Sequence, residues 1–222
     1  TSGTSNLVLG VNAGNSITSG GNYNVTLGDE AGTALTTGDA NVAVGFEALA
    51  TEDANGQNVA VGYRALKTLN AGLDSQNTAV GYNAGTSITT GRENTIMGAT
   101  AGDAFTDADF NIAIGWGALG ADTKGNKTVA IGVGTLDAQN FTTSTDAFNT
   151  AVGHGAGGAV TTGKFNTFLG AVSGAVFTTG EKNVAVGTYA LDRDTQGSRS
   201  VAVGYQALTN QNFTTAHDAY NV

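Results

Sequence analysis

The phrase Asn-x-x-x-Gly, with apolar residues between its ends, recurs at a nearly fixed interval down this 222-residue chain. It runs Asn6–Gly10, Asn24–Gly28, Asn41–Gly45, Asn58–Gly62, Asn77–Gly81, Asn94–Gly98 and Asn111–Gly115, then Thr128–Gly132, Asn149–Gly153, Asn166–Gly170, Asn183–Gly187 and Ser200–Gly204. A thirteenth copy opens at Asn221. A short fixed period means that each repeat is one unit that cannot bury its apolar side alone, so neighbours must stack. That constraint outranks every other signal in the chain.

Successive anchor positions lie 18, 17, 17, 19, 17, 17, 17, 21, 17, 17, 17 and 21 residues apart. Every fourth interval is long, which divides one continuous array over 1–222 into four-coil blocks at 6–76, 77–148 and 149–220, with 221–222 starting a further repeat. A second column keeps the same rhythm. The fourth residue after the anchor glycine reads Gly14, Gly32, Leu49, Leu66, then Gly85, Gly102, Leu119, Leu136, then Gly157, Gly174, Leu191, Leu208. The long coils also match, Asn140-Phe141-Thr142-Thr143 aligning with Asn212-Phe213-Thr214-Thr215. The pattern is that of a four-coil unit duplicated after the single repeat existed. Starting just before one repeat and stopping inside another, the chain reads as a segment of something longer.

Each repeat is too short for two helices and a turn. Val-Ala-Val and Ile-Ala-Ile are β-type runs bounded by Asn and Gly. A weaker run such as 33–37 or 86–90 follows, then a turn at Gly38, Gly91, Gly163 or Gly180. The repeat therefore predicts a coil of two short strands and two turns. Every copy points the same way, which favours parallel stacking over a meander. The fold class that follows is all-β: a parallel β-solenoid of about 12 coils of 17–21 residues.

Composition agrees. The chain has no proline, where ordinary usage of ~5 % would supply about eleven; proline cannot donate to a β ladder, and a stacked coil has few edges to hold it. Hydrophobic residues make up 40 %, at fixed spacing, which argues for order. Nine basic and 18 acidic residues give a net charge of −9 and no basic cluster, a poor match for nucleic acid or anionic lipid. No apolar run approaches the ~18 residues of a membrane span, so no membrane insertion is expected. The absence of cysteine excludes disulfides and thiolate metal sites.

Column by column, structural roles outweigh chemical ones. The anchor glycine serves a turn with positive φ or a close backbone approach; a phosphate loop would need a compact glycine cluster opening a helix. The anchor Asn residues form a ladder of stacked amides. The residue before the anchor glycine, always Leu, Val, Ile or Met, is expected inside. Strand alternation then turns Ala43, Ala60, Ala79, Ala113, Ala130, Ala151, Ala185 and Ala202 outward, as candidate chain–chain contacts. An aromatic follows the anchor glycine at Phe46, Tyr63, Tyr82, Trp116 and Tyr205; these rings either cover neighbouring coils or face a ligand such as a sugar. His154 and His217 stand alone and are expected to be structural. Thr pairs such as Thr36-Thr37 and Thr89-Thr90 raise ice binding, which Thr106-Asp107 interrupts. Asp74, Asp146 and Asp218 each stand three residues before a block boundary; one carboxylate per block falls short of the six to eight oxygens of a calcium site, and turn capping is the expectation. No nucleophile–base pair or paired carboxylate departs from the repeat, so no catalytic, cofactor or metal residues are assigned.

The stretches Asn41-Val-Ala-Val-Gly45, Thr128-Val-Ala-Ile-Gly132 and Ser200-Val-Ala-Val-Gly204 resemble the Asn-Ser-Val-Ala-Ile-Gly repeat of trimeric autotransporter adhesin heads. Asn77-Thr-Ala-Val-Gly81-Tyr-Asn-Ala-Gly85 is also similar to repeats of phage tail-fibre proteins. The resemblance covers essentially the whole chain, although the coils here are longer and Ala usually stands where the adhesins have Ser. It implies a left-handed β-roll, three chains about one axis, and a role in surface attachment. Together these readings give a fibrous, extracellular segment on a virion or cell surface that spans distance and presents loops. Its partners would be copies of itself, as a homotrimer or stacked end to end, and a cell-surface glycan or protein receptor. The alternatives are a carbohydrate-binding module using the aromatic column and a polysaccharide-cleaving β-helix enzyme.

Overall fold

In the computed structural model, residues 3–221 are described; Val222, and with it part of the thirteenth repeat, lies outside them, as do residues 1–2 of the array. The chain forms about twelve coils and divides after Phe110, within the second sequence block, into two compact units. No helix occurs among the described residues.

The first unit stacks six three-residue strands: β1 (Leu7–Leu9), β2 (Val25–Leu27), β3 (Val42–Val44), β4 (Val59–Val61), β5 (Thr78–Val80) and β6 (Thr95–Met97). Each pairs in parallel with the next, in strict register, so that Ala43 lies beside Ala60 and Ala60 beside Ala79. The second unit holds β7 (Ile112–Ile114), β8 (Gly125–Asn126), β9 (Val129–Ile131), β10 (Thr145–Asp146), β11 (Thr150–Val152), β12 (Thr167–Leu169), β13 (Val184–Val186), β14 (Gly197–Ser198), β15 (Val201–Val203) and β16 (His217–Asp218). Its sheet runs β7-β9-β11-β12-β13-β15, again all parallel. Two small parallel pairs, β8–β10 and β14–β16, form beside the long coils. The second strand predicted at 33–37 and 86–90 is absent. Those stretches bend, yet still bond from coil to coil, as Thr36 N–H to Asp53 O (2.6 Å) and Thr89 N–H to Thr106 O (2.8 Å).

The corners of the coil are built by left-handed residues in columns. The residue before each anchor position has φ near +60° in all thirteen repeats, from Ser5 to Tyr220. So do the second and the fourth residues after every anchor glycine. The anchor glycines themselves have φ between +126° and +144°, a region essentially closed to other residues. They also face one another across coils: a Cβ on Gly62 would stand 2.2 Å from the carbonyl oxygen of Gly81. Both reasons expected for this glycine hold at once.

The anchor Asn is a buried double tie. Its Oδ1 accepts the backbone N–H of the next anchor, as from Asn41 to Asn24 (2.9 Å) and from Asn183 to Asn166 (3.0 Å). Its Nδ2 donates to a carbonyl fourteen residues ahead in its own coil, as Asn24 to Gly38 O (2.8 Å) and Asn149 to Gly163 O (2.8 Å). This staple closes every 17-residue coil around one circumference. In the three long coils it is missing: the amide of Asn58 turns back to Gly56 O and to Asn41 Oδ1, and Thr128 and Ser200 have no amide to give.

Inside and outside are reversed from the expectation. Ala43, Ala60, Ala79, Ala113, Ala130, Ala151, Ala185 and Ala202 point into the coil and are buried by their own chain, so they are not free for chain–chain contact. The flanking Val, Ile, Leu and Met side chains point out. The interior leaves little room for the alanine column because larger groups enter from the opposite wall. In the first two coils of each block these come from the seventh residue after the anchor glycine: Ile17, Leu35, Ile88, Phe105, Val160 and Phe177. There the fourth residue must be glycine, since a Cβ on Gly102 would meet Phe105 at 2.6 Å. In the last two coils Leu49, Leu66, Leu119, Leu136, Leu191 and Leu208 take the fourth position, and the seventh becomes Glu52, Leu69, Asp122, Gln139, Asp194 and Gln211. The Gly-Gly-Leu-Leu rhythm is thus an exchange of core volume between two columns, at the cost of holding Leu in a left-handed conformation.

Candidate interaction surface

The outer sheet face is made by the first and third residues of each strand. Its third residue is apolar in all twelve strands, while its first is apolar in eight and Thr in the others (Thr78, Thr95, Thr150 and Thr167), and none of the 27 charged residues lies within a strand of the two main sheets. Most of these side chains are half-buried by their neighbours along the sheet, but Met97 (46 %), Leu169 (47 %) and Ile112 (36 %) show how much remains open. A parallel sheet that is apolar on both faces is ordinarily covered on both.

The aromatic column is divided. Phe46, Tyr63 and Tyr82 form a continuous stack, with ring centroids 5.4 and 5.2 Å apart and planes within 18°. The Arg64 guanidinium lies 4.9 Å from the Tyr63 centroid and is paired with Glu47, which Lys67 also contacts at 2.8 Å. Those two cations hold the Glu47 carboxyl below its usual range, with Lys67 the larger cause. Because the rings stack on each other, both faces of Tyr63 are occupied and unavailable for a sugar. Trp116 (62 % exposed) has no ring neighbour among the described residues, and Tyr205 meets Tyr189 edge-on at 6.2 Å.

Sequence reasoning missed a second aromatic column on the other flank, at the left-handed residue before the anchor. Phe148 and Phe165 stack there at 5.7 Å, with Lys127 Nζ 5.3 Å from the Phe148 centroid. The signal was present in the spacing but was hidden by the polar residues that share the column.

The block-boundary aspartates are engaged by protein donors. Asp74 accepts from Gly56 N–H (2.8 Å) and Gln57 Nε2 (2.9 Å), Asp146 pairs with Lys127, and Asp218 pairs with Arg199 (3.0 Å). The bond from Lys127 lowers the Asp146 pKa. His154 is exposed, and His217 stacks on Phe213 at 4.4 Å. The hydroxyl of the first Thr in each pair is likewise spent along the stack, as Thr36 Oγ1 to Asp53 O (3.0 Å) and Thr161 Oγ1 to Thr178 O (3.1 Å). Among the described residues there is no group of three or more potential metal ligands and no pocket.

The other unforeseen feature is a set of buried acids in the third coil of each block. Asp122 Oδ1 accepts from Gly125 N–H and Phe141 N–H (both 3.0 Å), and Oδ2 from Gln139 Nε2 (2.6 Å). Gln139 Oε1 in turn accepts from Asn149 Nδ2 (2.8 Å), and its Nε2 reaches Thr128 Oγ1 at 3.3 Å. Asp194, Gln211, Ser200 and Asn221 repeat this relay in the third block. The two repeats that lack the anchor Asn are therefore those where a glutamine replaces its amide. In the first block Asn58 keeps its place, the glutamine position is Leu69, and Glu52 accepts from Asn55 Nδ2 through Oε1 (2.9 Å), its Oε2 buried without a partner. Burial pushes the carboxyls of both Glu52 and Asp122 upward.

No family model matches the chain, and neither the curated proteins nor the solved structures contain a match.

Proposed function

We propose that this chain is a structural segment of an extracellular fibre or filament, carried on a virion or a cell surface, whose outer sheet face packs against further copies of itself in a homotrimer. The carrying observation is the charge-free strip, apolar at the third strand position of every coil, in a chain of net charge −9. Isolated exposed apolar residues are normal, but a contiguous strip of this kind marks an interaction surface. Its repeat equals the coil spacing, so the partner best matched along its length is another stack of the same period. The work of such a segment is mechanical: it spans distance, resists unfolding through its ladders, and holds out the loops of the long coils for attachment to a glycan or protein receptor. The buried acids have no access to substrate, which supports a non-catalytic reading.

The test is the mass of the chain in solution. Sedimentation or light scattering should give a multimer, and replacing Val152 and Val186 by Lys on the outer face should give a folded monomer. A native chain that stays monomeric at tens of micromolar would overturn the proposal.

A further inference from the structure

Six tyrosines lie in the chain, and four of them meet as two pairs across neighbouring coils. The pairs differ in geometry. Tyr63 and Tyr82 hold the same position in the fourth and fifth coils, each directly after its anchor glycine. The strands before them are paired in register, Val61 beside Val80, and the glycines between have matching φ values of +139° and +144°. The two phenols therefore leave equivalent points of the backbone in the same direction. Their planes lie within 9° at a centroid distance of 5.2 Å, so corresponding ring edges run side by side, and both rings are exposed (38 % and 54 %). Tyr189 and Tyr205 stand one position out of step and meet edge-on, at 84° and 6.2 Å. Tyr23 and Tyr220 are exposed but face no other tyrosine among the described residues.

We infer that Tyr63 and Tyr82 are a site of oxidative modification, at which a haem peroxidase acting with hydrogen peroxide joins the fourth coil to the fifth as a dityrosine. The peroxide takes one electron and one proton from each phenol and leaves as two waters. The odd electrons of the two phenoxyl radicals pair in a carbon–carbon bond between one Cε of each ring, the carbons beside the oxygens. The hydrogen on each of those carbons then leaves as a proton and one returns to each phenol oxygen, which restores both rings. A turn of each ring about its Cβ–Cγ bond points the two carbons at each other. The chain has no cysteine to intercept the oxidant. Phe46, the third ring of the stack, has no phenol to oxidise, so the bridge stops at one pair. Its place has a mechanical consequence. The fourth coil is a long one whose anchor Asn58 makes no staple, whereas Asn77 of the fifth donates to Gly91 O (2.8 Å). The new bond ties an open coil to a closed one across the boundary between the first two blocks.

The native chain, held dilute, is treated with a haem peroxidase and hydrogen peroxide. The product should be a single chain that has lost two hydrogen atoms, emits the blue fluorescence of a biphenol and yields a peptide joining Tyr63 to Tyr82. Because the link spans 19 residues of sequence and restricts the unfolded chain, the product should also unfold at higher denaturant than the untreated protein. Tyr63→Phe and Tyr82→Phe should each remove most of the emission. Phe46 shows that the column accepts phenylalanine, and denaturant melts should find both variants folded. Emission that survives Tyr63→Phe, or a link between Tyr189 and Tyr205 in preference to Tyr63 and Tyr82, would overturn the inference. So would chains joined to one another with none linked internally, and so would the absence of any link in a reaction that couples added free tyrosine. None of these outcomes bears on the fibre reading, since the link lies within one chain.

Discussion

The first two coils and the last two coils of each block enclose similar space by opposite means. Coils of the first kind fill it from the seventh residue after the anchor glycine, with Phe105 or Phe177, and keep the fourth bare. Coils of the second kind fill it with Leu from the fourth, and this frees the seventh position for polar groups. The consequence is that buried carboxylates occur only where leucine has taken over the packing. Among those coils a second contrast appears. Asp122 is held by three donors, whereas Glu52 has one of its oxygens unpartnered.

The largest effect should come from breaking the volume exchange. Phe105→Ala is expected to cost about 4 kcal/mol as a cavity in the core. Adding Gly102→Leu, which moves the bulk to the fourth position as at Leu119, should recover more than half of that loss in denaturant melts. If the two changes merely add, the columns are not exchanging volume. Next in size, Asp122→Asn should cost about 2–3 kcal/mol, because its new Nδ2 must face one of the donors that the carboxylate now accepts. An unchanged midpoint for that variant would show that the relay is not needed.

The smallest effect is a gain. Glu52→Gln removes a buried charge that has too few partners and should stabilise the fold by about 1 kcal/mol at pH 8. The sign follows from the raised pKa of Glu52. Its protonated form suits the fold, so its contribution is fully present below about pH 4.3, the unfolded value, and is lost as pH rises through the folded value. The variant's advantage should therefore vanish at pH 4. An advantage equal at pH 4 and pH 8 would show that charge is not its cause.

Much of the stacking was legible in the sequence because it depends on backbone need. Only glycine tolerates the anchor conformation, and only a short amide makes both bonds of the staple, so both columns show as near-constant letters. The facing of the strand was not legible. In Val-Ala-Val both faces are apolar, and alternation alone cannot say which one is inside; that is decided by bulk arriving from Leu66 or Ile88 across the coil. The acid relay was hidden for a related reason. Asp122 and Gln139 lie seventeen residues apart and read as ordinary surface polar residues until the missing amide at Thr128 is seen to need them. The aromatic column was visible, but whether its rings face a ligand or one another depends on ring planes, which spacing does not encode.

The fourteen-residue staple acts as a length gauge. The staple stretches by one residue, from Asn6 to Gly21 O in the 18-residue first coil, but the coils lengthened further all lack it. Since the gauge is released once in every four coils, new sequence has one port of entry per block, in the stretch containing Asn140 to Thr143 and its counterpart at Asn212 to Thr215. A chain built this way can acquire or exchange surface features at regular stations while the stack between them keeps its dimensions.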